Sequence, residues 1–380
     1  MTSAESKRII CFATQGHGHI EEERIHDLLE PLRPTVYAFD RAHKLRSAIG
    51  LVRATRAQRP QLIVMEGTGT AGGLTLIALS ALRGVPFVVC SGDAVGPFLG
   101  LHSRLLGLLG GVYERLLCRR CAGYVGWTPY LVGRALSFGA RRAITVPGWT
   151  RGRISQGARQ KIRDRLGIAD DAIAVGIVGS LHWNERLDYG YGADLVRAAR
   201  LVRRRDLVIC VIGEGPGRAR LQEMAGEDLG SRVLLPGRVP QDEVPDYLAA
   251  LDVGSLSQSV DRVGSFRYTT KLSEYFAASL PIVTGEIPAA YDLDEGCMWR
   301  LPGHAPWSST YVTALAELLQ NLSAADIAQR REAIARRRSE PFDKAIQQRR
   351  MSAFIGDLLA DRARRAQRED PRAAQVDGPT

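Results

Sequence analysis

The sequence predicts an α/β protein of two domains, each a parallel sheet covered by helices on both faces. Three observations predict it. The chain has 380 residues, more than a single ordinary core accommodates. Strand-like and helix-like segments alternate along almost its whole length, as they do where parallel strands are joined by crossover helices. Between Pro147 and Asp171 the chain turns polar, basic and glycine-rich, which separates two such series. The apolar share of 45% and the charged share of 24% fit a globular chain and argue against wholesale disorder.

In the first series, Arg8–Thr14 reads as a strand entering a glycine-rich turn, and Thr35–Phe39 and Gln61–Met65 read as further short strands. Gly72–Leu82 reads as a helix, and Val85–Cys90 as a buried strand announced by Gly-Val-Pro. Gly100–Cys118 reads as one long helix, and Gly123–Trp127 and Ala143–Val146 close the sheet. A helix is expected over Ala158–Leu166. The second series starts at Ile173–Val178, an unbroken apolar run of the kind a doubly covered strand needs. Leu207–Ile212, Arg232–Leu235, Val253–Leu256 and Pro281–Thr284 complete it. Open parallel sheets bind ligands at the carboxyl ends of their strands, and two of them facing each other make a cleft.

Lys and Arg number 51 against 41 Asp and Glu, a net charge of +10 that invites an anionic partner. Zinc-finger spacing and an aromatic-and-basic RNA-binding signature are both missing, so nucleic acid is not expected. The first eight residues are polar and the apolar run after them is too short for a secretory signal. Leu74–Cys90 and Phe98–Leu117 are the most apolar stretches, and polar residues break both, so a cytoplasmic protein is expected. Phe98–Arg120 combines leucines with Arg104, Arg115, Arg119 and Arg120 and one acid, Glu114, a pattern suited either to peripheral contact with an anionic membrane or to a core helix with a basic outer face. Cys118 and Cys121 form a lone CxxC that lacks a second pair or nearby histidines, so two buried thiols fit it better than zinc.

Two glycine-rich turns follow strands. In the first, Gly16, His17 and Gly18 precede an acidic helix start at Glu21, Glu22 and Glu23, which suits the helix dipole but repels a pyrophosphate. These residues, with Asp93 after the fourth strand, are candidates for acceptor or sugar contact. The second turn, Gly213-Glu214-Gly215-Pro216, is no dinucleotide fingerprint, since its spacing differs and Pro216 lacks an amide for the phosphate. Asp292-Leu293-Asp294 is a metal-type DxD in a loop-rich segment, and no metal role is assigned to it.

In order along the chain, Gly213-Glu214-Gly215-Pro216 with Leu221, Arg232–Pro240, Tyr247–Val253 and Glu274–Val283 resemble the motif blocks of family 4 (group 1) glycosyltransferases, the last block being similar to the hallmark EAMAxGxPVV. The resemblance covers residues 173–284, and the N-terminal half matches only in outline. It implies a GT-B fold of two Rossmann-like parallel-sheet domains facing a cleft. Residues 1–148 would be the acceptor domain, 149–172 a linker and 173–338 the nucleotide-sugar donor domain. Residues 339–365 would form a helix packing back toward the N-terminal domain, and 366–380 a disordered tail.

The resemblance also implies a retaining transfer from a nucleotide-diphosphate sugar to a carbohydrate or lipid-linked acceptor, with no metal and no cofactor. Lys271 and Arg186 would offset the leaving diphosphate, and Glu274 would accept from the donor ribose hydroxyls. The amides of Thr269 and Thr270 would meet the diphosphate, the turn at Gly213 and Gly215 would line the donor pocket, and Arg238 and Val239 would meet the base. The chain departs from the family at Ser180, where an arginine is usual, and at Phe266, where the first glutamate of the E-x7-E pattern is usual. Asp261 is the one carboxylate between Leu256 and Lys271, so it is expected to contact the sugar or to order Arg267. A nucleotide-sugar epimerase and a catalytically silent GT-B partner or sensor are the alternatives.

Overall fold

The computed structural model describes residues 8–150, 152–336 and 340–369. The chain separates into two compact units: 1–147 with 266–268 and 343–380, and 148–265 with 269–342. Positions 370–380, most of the expected tail, lie outside the described residues, as do 1–7 and 337–339.

Unit 1 holds β1 (Ile9–Ala13), β2 (Thr35–Val36), β3 (Leu62–Glu66), β4 (Phe87–Ser91), β5 (Gly123–Gly126) and β6 (Ala143–Thr145). They form one parallel sheet in the order β2-β1-β3-β4-β5-β6. Every residue of β1, β3 and β4 is buried, which is why these segments read as unbroken apolar runs. The strand expected over Thr35–Phe39 is only two residues long, at the sheet's edge. Phe39 nevertheless enters the core and stacks on Phe12 at 5.5 Å. Helices α1 (Ile20–Leu29), α2 (Lys44–Gln58) and α3 (Thr70–Arg83) join the first strands.

The single helix expected over Gly100–Cys118 is α5 (Arg104–Arg120), which starts later than expected because the chain breaks after a short preceding helix, α4 (Val95–Gly100), and the two form a hairpin. Ser103 makes the break: its extended backbone and its hydroxyl, which accepts from the Leu106 amide, start a new helix. The two arms meet through glycine, since a Cβ on Gly107 would stand 2.8 Å from the Gly100 Cα. Helix α6 (Pro129–Ser137), capped by Thr128, leads to β6.

Unit 2 begins with α7 (Ala158–Leu166), then β7 (Ile173–Val178), the antiparallel pair β8 (Trp183–Asn184) and β9 (Tyr189–Gly190), and α8 (Ala193–Ala199). There follow β10 (Leu207–Ile212), α9 (Arg218–Ala225), β11 (Val233–Gly237), α10 (Val244–Ala249), β12 (Val253–Leu256), α11 (Thr270–Ala277), β13 (Ile282–Gly285), α12 (Pro288–Asp292), β14 (Met298–Leu301), α13 (Ser309–Asn321) and α14 (Ala324–Arg336). The sheet is parallel in the order β11-β10-β7-β12-β13-β14. The expected set of strands thus lacked β14, whose sequence Met-Trp-Arg-Leu lies directly behind a turn-rich segment. Asp294 builds that turn, its carboxylate accepting from the amides of Gly296, Cys297 and Met298 and pairing with Arg300 at 2.8 Å. The chain continues into α15 (Lys344–Glu369), which is counted with unit 1. There Gln348 donates to the Asp27 carbonyl at 2.7 Å, and Phe354 and Leu358 pack where Gly123 leaves room for them.

Candidate active site

In unit 2 the ends of β7, β10 and β11 enclose a cavity of about 500 Å³, lined by Gly179, Ser180, Gly213, Gly215, Arg238 and Val239 among others. The backbone builds it. The Gly179 amide donates to Ile212, Gly213 to Gly237, Leu181 to Glu214 and Gly217 to Leu181, so the two turns lock edge to edge. Gly213 sits at φ +150°, and a Cβ there would stand 1.8 Å from the Gly179 carbonyl oxygen. Only glycine lets the turns approach this closely.

Lys271 and Glu274 stand in the first turns of α11, which opens at Thr269 with no side-chain cap. The Lys271 ammonium lies 4.4 Å from the Tyr191 ring, and a Cβ on Gly179 would come within 3.0 Å of it. It therefore reaches the wall of the cavity. Burial raises the Glu274 carboxyl above its ordinary range, opposed by the charge of Lys271 and by a hydrogen bond with the Thr270 side chain. Arg186 stands on the exposed turn between β8 and β9, outside the lining, its amide bonded to the Asn184 side chain at 3.0 Å. Asp261 is exposed and its Oδ1 accepts from the Val263 and Gly264 amides, both at 2.8 Å. Arg267, in unit 1, pairs with Asp93 at 3.4 Å.

Sequence reasoning missed a polar knot behind this cavity. Asp194, fully buried at the start of α8, accepts from the Tyr189 hydroxyl at 3.2 Å and the Ser257 hydroxyl at 2.8 Å, and Ser257 meets Ser255. Burial raises its carboxyl to about 6. Nothing in Gly-Ala-Asp-Leu-Val separates this aspartate from one that merely complements a helix dipole. The same holds for Tyr191, which no motif marks.

Unit 1 gathers a second set at the ends of β1, β3 and β4. Gly16 and Gly18 take positive φ, as the tight turn requires. Glu22 folds back on that turn, its Oε2 accepting from the Gly18 amide at 2.9 Å and meeting His17 Nδ1 at 2.8 Å. The fully buried Glu66 pairs with Arg24 at 2.7 Å, and Arg24 stacks on Trp127 at 4.1 Å. Glu21 is raised to about 7 by burial first and then by the charges of Glu66 and Asp93. The sequence pointed to Gly16, His17, Gly18 and Asp93 but not to Glu66 or Arg24, whose pairing spans 42 positions. Phe266, with Arg267 and Tyr268, belongs to unit 1: its carbonyl accepts from Thr128 at 3.0 Å and its ring lies 5.3 Å from the Arg134 guanidinium.

Among the described residues no cluster of three or more His, Cys, Asp or Glu is arranged to hold a metal. Cys118 and Cys121 are buried free thiols, and Cys121 donates to the Cys118 carbonyl.

Two six-stranded parallel sheets with crossover helices, one carrying a glycine-walled cavity with a lysine at its wall, define the GT-B class of fold. Solved structures share it. Anabaena HepE in complex with UDP and glucose aligns with TM-score 0.69 at 15% identity over 92% of this chain and 100% of its own. Sucrose-phosphate synthase from Thermosynechococcus elongatus aligns with TM-score 0.68 at 12% identity over 93% and 100%. Residues 172–321 match the family profile "Glycosyl transferases group 1". A curated relative, 2-deoxystreptamine glucosyltransferase of Streptomyces kanamyceticus, is 28% identical over 184 residues, 45% of this chain and 46% of that protein, so the match spans about half its length. The group 1 glycosyltransferase profile thus covers residues 172–321, within a chain of GT-B fold.

Proposed function

We propose that the protein is a retaining glycosyltransferase that moves a sugar from a nucleotide-diphosphate sugar to an acceptor hydroxyl, in glycan, glycolipid or cell-envelope polysaccharide synthesis. The observation that carries this is the cation of Lys271 at the wall of a glycine-lined cavity, one turn from a half-buried Glu274. In this reading the glycine turns let the donor approach backbone, Lys271 offsets charge on the departing diphosphate, and Glu274 accepts from the ribose hydroxyls. Thr269 and Thr270 supply amides to the diphosphate, and Arg238 and Val239 meet the base. Arg186 is a second cation able to reach in only by movement of its exposed turn. Asp261 keeps one carboxylate oxygen for the transferred sugar. Gly16, His17, Gly18 and Asp93 contact the acceptor or sugar. No covalent nucleophile is needed.

The test is thermal-shift screening with UDP-, GDP- and ADP-linked sugars, UDP-glucose first because structures of HepE hold UDP, glucose and UDP-glucose. A ligand at 100 times its Kd stabilises the folded state by about 2.7 kcal/mol. A transferase releases nucleotide only with an acceptor present. Release without one favours an epimerase, and no donor binding favours a silent partner protein.

The α4–α5 hairpin supports peripheral contact with an anionic membrane on its cytoplasmic face. Leu101, Leu105, Leu108 and Val112 are each 59–66% exposed, whereas Leu117 and Cys118 at the far end of α5 enter the core. The one acid of α5, Glu114, is 3% exposed and holds Arg134 at 2.7 Å and the Gly96 amide at 3.1 Å. The outer face is left apolar and cationic, as an anionic bilayer surface requires. The protein is expected to co-sediment with phosphatidylglycerol vesicles better than with phosphatidylcholine vesicles, in a salt-sensitive way, and Leu105→Glu with Leu108→Glu should release it. Equal binding to both lipids would remove the membrane from this reading. A concentration-dependent dimer lost in the same variant would assign the face to a second copy. Among the described residues no helix is long and apolar enough to cross a bilayer.

A further inference from the structure

At the opposite edge of the unit 1 sheet, where strands begin, lies a second cavity of about 540 Å³. Its lining includes Leu62 at the start of β3, Pro86 before β4, Ala122 before β5 and Arg141 and Arg142 before β6. In a parallel sheet these positions share one edge. The five residues of β1, β3 and β4 put it about 16 Å from the strand ends that carry His17, Glu66 and Asp93. It belongs to neither set of residues described above.

The charge of this cavity is one-sided. Arg119, Arg120, Arg141, Arg142 and Arg362 line it against one carboxylate, Asp361. Asp361 is already shared, pairing with both Arg142 and Arg364. Arg362 donates to the Gly84 carbonyl at 2.6 Å. Arg119, Arg120 and Arg141 have no hydrogen-bond or ion-pair partner among the described residues. Position in the last turn of α5, favourable to the helix dipole, accounts in part for Arg119 and Arg120. It does not account for Arg141, which comes from a loop, or for gathering three unpaired guanidinium groups on one concave surface. Like charges placed together repel, and their fork-shaped donors match phosphate oxygens best of all anions. A cavity of this size falls in the usual range for small-ligand sites.

We infer that this cavity is a second anion site, taking a phosphate-bearing ligand, with Arg119, Arg120 and Arg141 as its donors. The ligand is either a free diphosphate or nucleotide, or the phosphate of a lipid headgroup. The two sources present the same oxygens to the same guanidinium groups. The inference does not rest on the donor reading of unit 2, and the experiment keeps them apart.

Pyrophosphate is titrated calorimetrically at low ionic strength into the wild type, Lys271→Ala and the double variant Arg120→Ala with Arg141→Ala. Both arginines are exposed, so melting temperature should stay close to wild type and report on folding. Binding that persists in Lys271→Ala and weakens tenfold or more in the double variant supports the site. Equal binding by the double variant and the wild type overturns it, as does complete loss of binding in Lys271→Ala alone. A parallel sedimentation with phosphatidylglycerol vesicles decides the source. If pyrophosphate does not bind but the double variant, with every leucine of α5 intact, loses vesicle binding, the ligand is a lipid headgroup. If neither measurement separates the double variant from wild type, the inference fails.

Discussion

Lys271→Ala is expected to lower turnover by roughly 10²–10³-fold, the usual cost of removing one transition-state donor, with the melting temperature little changed. Lys271 is the cation that the structure places against the cavity wall at Gly179, held by the Tyr191 ring. Ser180 stands where a second cation would be usual, and it lines the cavity without charge. Arg186 is exposed on its turn, so Arg186→Ala should cost less than Lys271→Ala. Removing Lys271 also deletes the one charge that lowers the Glu274 carboxyl, so that group should rise further. The loss should appear in kcat more than in KM, because charge on the diphosphate grows as its bond to the sugar breaks. Lys271→Arg should recover part of it. Near-normal turnover in a folded Lys271→Ala protein would return this residue to an ordinary surface role.

The fold was legible because its strands are doubly covered. Ile173–Val178, Leu207–Ile212 and Val253–Leu256 were read with the bounds the structure gives them, since a strand buried on both faces is an unbroken apolar run between turns. Elements with mixed surroundings were not legible. The two-residue β2 carries half-exposed side chains, and β14 alternates Trp299 and Arg300 between buried ends. The break at Leu101–Ser103 was hidden because leucines flank it on both sides, and exposed leucines read the same as buried ones. What distinguishes them is the inward turn of Glu114 toward Arg134, twenty positions away.

The candidate site divides in the same way. Glycine turns and a Lys-x-x-Glu helix start are local patterns, so Gly213, Gly215, Lys271 and Glu274 could be found from the order of motifs. The buried ion pair of Glu66 with Arg24 and the knot of Asp194 with Ser257 join residues 42 and 63 positions apart. No local spacing records them. Asp261, expected as the one carboxylate in its segment, holds its own turn with one oxygen, a local bond that its place in the sequence does not announce.

Asp194→Asn is expected to remove a pH dependence of stability that the wild type shows between about pH 4 and pH 6. The folded protein holds the Asp194 carboxyl at about 6 against an ordinary value of 3.8, with burial as the leading cause. Below the ordinary value both folded and unfolded states are protonated, and the buried neutral acid is stable in place. As pH rises through this window the unfolded chain loses its proton first, so unfolding releases a proton and stability falls. Above about 6 the folded carboxyl is ionised too, and the contribution levels off. A gap of about two units corresponds to about 3 kcal/mol. Other raised carboxyls, such as Glu21, titrate in both proteins, so the difference between wild type and Asp194→Asn isolates this one. Urea unfolding at pH 4, 5, 6 and 7 measures it: the wild type should lose up to about 3 kcal/mol relative to the variant across the window. Parallel curves would show that Asp194 does not titrate there. Asp194→Ala should be worse at every pH, because it takes the acceptor from the buried Tyr189 hydroxyl and from Ser257, at about 1–3 kcal/mol for a buried group left without its partner. It should also weaken donor binding, since Tyr189 and Asp194 bracket Tyr191, the ring against which Lys271 rests.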